Sequence, residues 1–193
     1  MEDLNEEKVL ELRMYFFVPY NISDKQMGIQ AGHSALRYAR LFSAEHPEVW
    51  DFVDNHETWI MLNGGTTNEQ RDFDGIPMGT MNQIADELAD NDIRFSYFTE
   101  PDLNNGLSAL CFLMDERVFN REDYPDFMNY IVDVKMYKSA KDAMPAENLI
   151  YLMDMGMEKA QEMFPEYYKE WVRFMGGVKN VFLRGLTRDK KKA

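Results

Sequence analysis

Seven residues separate two runs of strand character, IRFSYFTE (93–100) and SALCFLM (108–114), and this spacing constrains the topology more than any other feature of the chain. A parallel return needs a crossover of about a dozen residues or more, so the two runs must pair as antiparallel neighbours. The intervening PDLNNGL, with its Asn-Asn-Gly, reads as the turn. Upstream, ELRMYFFVP (11–19) and TWIMLNGG (58–65) are rich in aromatic and branched residues and read as two further strands. Between them, DKQMGIQAGHSALRYAR (24–40) reads as a helix capped by Ser23 or Asp24, followed by a short helix over 46–55. After a polar loop (66–77), residues 79–92 carry apolar side chains at 81, 84, 85 and 88, which is helical spacing. The order strand, helix, strand, helix, strand, strand predicts an α/β fold: a small mixed four-stranded sheet flanked by helices.

From about residue 120 the pattern turns helical. Segments 124–143, 146–164 and 165–177 are divided by Pro145 and Pro165, each suited to a helix start. The chain is therefore read as an α/β domain (1–118) and a helical extension with a basic tail (119–193). Methionines 144, 153, 155, 157 and 163 cluster in this extension and read as adaptable core filling, with a partner-binding surface as the alternative.

The helix at 24–40 contains Gly28 and Gly32, each of which lowers helix stability by about 1 kcal/mol relative to alanine. Projected at about 3.6 residues per turn, Gly28, Ala31, Gly32, Ala35 and Ala39 share one side, which is expected to lie flat on the sheet. Gln26, Gln30, His33, Arg37 and Arg40 form a polar stripe expected to face outward, either as a solvated face or as a site.

Charge narrows the function classes. The net charge of −13 opposes nucleic-acid binding by the molecule as a whole. Residues 179–193 nevertheless hold six Lys or Arg and one Asp, a net of +5 that leaves −18 on the rest. This tail reads as a solvated basic segment, and with Lys25, Arg37 and Arg40 it offers local sites for RNA phosphates. Hydrophobic residues at 45% and aromatics at 13% exclude general disorder. No run of about 18 apolar residues occurs and the acidic start does not read as a secretory signal, so a cytoplasmic protein without a membrane partner is expected. The lone Cys111, within an apolar run, reads as a buried thiol. No His, Asp and Glu set has the spacing of a zinc or iron site, and neither metal nor cofactor is expected.

At MGIQAGHSAL the chain resembles the type II peptidyl-tRNA hydrolase family, with Gln30, Gly32, His33 and Ala35 in step with that family's first helix. The likeness spans roughly residues 9–116 and includes the element order; residues 117–193 have no counterpart in it. The Glu-Pro-Asp-Leu form of the turn is similar to proteins of tailed bacteriophages, which implies a viral source and a host cytoplasm. The resemblance implies hydrolysis of the ester joining a peptide to tRNA. Glu100 or Asp102 would position water, Ser108 and turn amides would stabilise the oxyanion, and His33 would stand at the catalytic centre. Lys25, Gln26, Gln30, Arg37 and Arg40 would contact the tRNA. The family's catalytic lysine falls at Gln26, with Lys25 one residue away and thus rotated about 100° around the helix. The turn threonines are also absent. The other reading of Glu100-Pro101-Asp102 is plain turn chemistry.

The alternative function is a catalytically inactive scaffold whose acidic body binds a host protein and mimics nucleic acid; a small-ligand sensor is a third reading. Either tRNA or a host protein is the expected partner, and a homodimer is left open.

Overall fold

The computed structural model describes residues 9–131 and 157–193. They fall into two compact units, Met1–Glu116 with Leu186–Ala193, and Arg117–Gly185. The first unit is an α/β layer. Strands β1 (Leu12–Pro19), β2 (Thr58–Gly65), β3 (Phe95–Glu100) and β4 (Gly106–Asp115) form one mixed sheet in the order β2-β1-β4-β3. β1 runs parallel to β2 and antiparallel to β4, and β3 pairs antiparallel with β4, as the short turn between them requires.

Side-chain alternation divides the sheet into two faces. Met61, Phe16, Cys111 and Ser96 are register partners in a single row across all four strands. That row meets α1 (Asp24–Phe42) in a cluster that includes Ala31, Tyr38 and Leu113. On the other face Tyr15 stacks on Phe112 with ring centroids 5.2 Å apart. There α3 (Thr80–Asp90) buries Met81, Ile84 and Leu88. Gly64 permits its close approach, because a Cβ at that position would lie 2.1 Å from the Met81 Sδ. Between α1 and β2 runs α2 (Glu48–Asp51), which passes into a π-helical turn over Phe52–His56.

Cys111 is fully buried. Burial pushes its thiol up to about 11, while bonds to the Ser96 and Ser34 hydroxyls offset part of that rise. At pH 8 only about one thiol in a thousand would be thiolate even if reagent could reach it. Labelling with a disulfide reagent at pH 8 is therefore expected to proceed at the rate of unfolding and to become fast in denaturant.

The basic tail is not a free segment. The Asn63 N–H donates to the Lys191 carbonyl at 2.9 Å, and the Ala193 N–H donates to the Met61 carbonyl at 3.0 Å. The last residues thus add to the outer edge of β2, with Leu62 and Lys192 as antiparallel partners. Pairing of this kind satisfies backbone groups that an edge strand otherwise leaves open.

The second unit contains α4 (Phe127–Asn129), α5 (Met157–Met163), α6 (Pro165–Phe174) and most of α7 (Val178–Thr187). Trp171 is buried against Phe127 and donates its indole N–H to the Pro125 carbonyl at 3.0 Å. α7 occupies part of the stretch read as a solvated basic tail, and Arg184 is 1% exposed. Met163 is 51% exposed rather than core filling, while residues 144, 153 and 155 lie outside the described residues. The same holds for most of the helices read over 124–143 and 146–164.

Candidate functional site

The helix expected at 24–40 forms, but it is rotated from the expected seating. Its buried residues are Gln30, Ala31, Ser34 and Tyr38, whereas Gly28 is exposed. The buried line lies about 100° around the helix from the glycine and alanine side. Close packing by the glycines is therefore corrected: a Cβ at Gly28 or Gly32 would meet nothing within 4 Å. The sheet under α1 is itself partly polar, and this makes the difference. The Ser96 hydroxyl donates to the Ser34 carbonyl at 2.5 Å, and Ser34 donates to Ala31 at 2.8 Å. Polar helix residues can be buried there because partners wait for them. With nothing to lose at Gly28, Gly28→Ala is expected to raise stability by about 1 kcal/mol, read as a higher urea midpoint at unchanged slope.

Gln30 is the clearest consequence. Expected in an outward stripe and on tRNA, it is 4% exposed. Its amide Nε2 donates to the Glu100 Oε2, and its Oε1 lies 3.2 Å from the Ser108 hydroxyl. That hydroxyl also lies 3.1 Å from the Phe98 carbonyl. One helix residue thus ties the end of β3 to the start of β4. Register explains how Ser108 takes part. Phe98 pairs with Ala109 and Thr99 with Leu107, so Ser108 is the extra residue of a bulge. Strict alternation would turn Ser108 to the Leu110 and Phe112 face; the bulge brings it round to Gln30.

Ser108 is 1% exposed, its hydroxyl enclosed between Gln30 and the Phe98 carbonyl. Glu100 remains partly accessible. Its Oε1 accepts weakly from the Asp102 N–H at 3.5 Å and so caps the short turn Pro101–Leu103. The turn closes through Asn104 and Asn105, whose φ values of 53° and 57° are left-handed. Turn chemistry is therefore present alongside any catalytic use of Glu100. Asp102 is exposed, and its carboxylate joins no hydrogen bond or ion pair among the described residues.

His33 and Arg37 converge on one ring. The His33 imidazole stacks on Phe98 at 4.4 Å, and the Arg37 guanidinium carbon lies 4.6 Å from the same ring centre. Arg37 also donates to the Tyr97 carbonyl at 3.0 Å. This lays a cation and an imidazole along β3 toward Glu100. Arg40 lies farther along, beside a hollow of ≈260 Å³ shared with Arg37 and Tyr97.

The start of α1 departs from the stripe. Ser23 accepts from the Gln26 N–H at 3.3 Å, and the Gln26 Oε1 accepts from the Ser23 N–H at 3.1 Å. This reciprocal capping box ties the exposed Gln26 to its own helix end. Lys25 is exposed and takes no part in the Gln30–Glu100–Ser108 network. Among the described residues, no group of three His, Cys, Asp or Glu could hold a metal ion, and no helix is long and apolar enough to cross a membrane. Compared with known proteins, the chain matches no family model, no curated protein and no solved structure.

Proposed function

We propose that the α/β unit hydrolyses an ester of the peptidyl-tRNA kind, with Glu100 as the working carboxylate. The observation that carries this reading is the buried Gln30–Ser108 pair holding a partly accessible carboxylate at a strand end, beside His33 and Arg37. A carboxylate fixed in this way can accept a proton from water as the water oxygen attacks the ester carbonyl. The tetrahedral intermediate then expels the ribose oxygen, which takes up a proton. Turn amides around Asn104 and Asn105 are the available donors to the oxyanion, in place of Ser108. Arg37, Arg40 and Lys25 supply positive charge for phosphates on a molecule that is otherwise acidic.

The likeness at Gln30 and His33 supports the same reading, as does the observed order of strands and helices. Gln26 stands where that likeness implies a lysine, so proton transfer and charge stabilisation fall to Glu100 and the arginines. The test is release of acyl-amino acid from an N-acetyl-aminoacyl-tRNA by the full chain. Multiple turnovers are expected; release no faster than the spontaneous rate would overturn the reading.

A further inference from the structure

The small-residue flank of α1, freed from the sheet, borders a second feature. Gly32, Ala35 and Ala39 line one side of a hollow of ≈600 Å³. Met14 and Trp59 of the sheet line it from below, and Val49, Phe52 and Val53 from the α2 and π-helical segment. The lining is almost wholly apolar. Large side chains stand open at its edge, with Leu36 72%, Trp59 44% and Val53 41% exposed. An exposed apolar tract of this kind marks an interaction surface on a soluble domain.

One charged residue lines the hollow. Glu57 closes the π-helical turn with a left-handed backbone, φ 54°. Its carboxylate joins no hydrogen bond or ion pair among the described residues, and neither does that of Asp54, next to Val53. No Lys or Arg lines the hollow. The rim is thus apolar with uncompensated negative charge at one end.

These features select an occupant. The stretch from Gly32 to Ala39 spans about 10 Å along α1, which is about two turns of a helix laid alongside. Small side chains on α1 let such a helix come close. A small molecule would leave Leu36 and Trp59 uncovered, because the hollow is open to one side. A second copy would set acidic rims against each other on chains that each carry −13. We propose that this groove docks an amphipathic helix of another protein, presenting bulky apolar residues at i, i+3 or i+4 and i+7, with Lys or Arg placed to meet Glu57 and Asp54.

The test uses the full chain and a fluorescently labelled model helix of about 18 leucine and lysine residues with one leucine face. Anisotropy is expected to report saturable binding. Leu36→Asp and Glu57→Lys should each weaken it about tenfold, whereas Glu69→Lys, on the exposed loop away from the groove, should change it less than twofold. A helix with glutamate in place of lysine should not bind. The proposal is overturned by no binding, by equal loss with Glu69→Lys, which would signify bulk charge attraction, or by an unchanged affinity in Leu36→Asp. It is also overturned if the native chain sediments as a dimer that Leu36→Asp dissociates. The groove and the ester site are separable: Leu36→Asp should leave ester release unchanged, and Glu100→Gln should leave helix binding unchanged.

Discussion

Arg184→Met is expected to destabilise the helical unit by about 3–5 kcal/mol, enough to unfold a marginal domain. The guanidinium is buried and fully engaged. Its Nε donates to the Asp126 Oδ1 at 2.8 Å and its Nη2 to the Tyr124 carbonyl at 2.6 Å. Its Nη1 reaches the Arg117 and Asn120 carbonyls at 3.0 and 3.3 Å. One side chain therefore gathers the segment from 117 to 126 onto α7. Methionine fills similar space but takes the cation from the partly buried Asp126 carboxylate and one donor from each of three backbone carbonyls, and breaking a buried charge pair by removing one partner costs about 3–5 kcal/mol. Arg184→Lys should recover only part of the loss, since one ammonium cannot span the planar set of acceptors. Lys191→Met, on an exposed side chain in the same basic stretch, should stay within about 0.5 kcal/mol of the native chain. Urea unfolding followed by helical circular dichroism separates these outcomes. Equal midpoints for Arg184→Met and Lys191→Met would refute the structural role of Arg184.

Glu100→Gln is expected to lower kcat for ester release by about 10²–10⁴ with little change in KM, as loss of a general base does. The substitution keeps the shape and keeps an oxygen for Gln30 to donate to, so folding should survive; an unchanged thermal midpoint checks this. Asp102→Ala is the informative companion. Its carboxylate is exposed and stands outside the Gln30 network, so its removal should reduce kcat less than about threefold, well short of the loss of a general base. If Asp102→Ala abolished release and Glu100→Gln did not, the carboxylate assigned here would be the wrong one of the pair. Full activity in Glu100→Gln would remove the proposed chemistry altogether.

Much of the fold was legible in local pattern. β2 spans Thr58–Gly65, the bounds its aromatic and branched run suggests, and of the two candidate caps Ser23 and Asp24 it is Ser23 that caps α1. The antiparallel pairing of β3 and β4 followed from loop length alone. These features depend on a few neighbouring residues, so the order of side chains along the chain is enough to read them. The α/β class and its mixed four-stranded sheet followed from the same reading.

The candidate site was legible only in part. Gln30, Glu100 and Ser108 were each singled out, but separately; that buried Gln30 bonds both of the others was not read from the sequence. Polarity along α1 suggested that Gly28 and Gly32 faced the sheet; instead Gln30 is turned inward to Glu100 and Ser108, both remote in the chain, and the Ser96 hydroxyl bonds the Ser34 carbonyl. The bulge at Ser108 is a matter of register between two strands and leaves no mark in either one. Arg184 read as tail charge because the carboxylate and carbonyls that hold it come from residues 58 or more positions away.

What the residue order decided, then, is which segments become strands and helices and where each begins, since backbone preference and capping act over a few residues. Which face of α1 is buried, which of the basic residues is internal, and which carboxylate stands in a polar network were decided by tertiary structure. The reason is common to all three: a polar group can be buried only where a partner meets it, and here the partners come from elements distant in the chain.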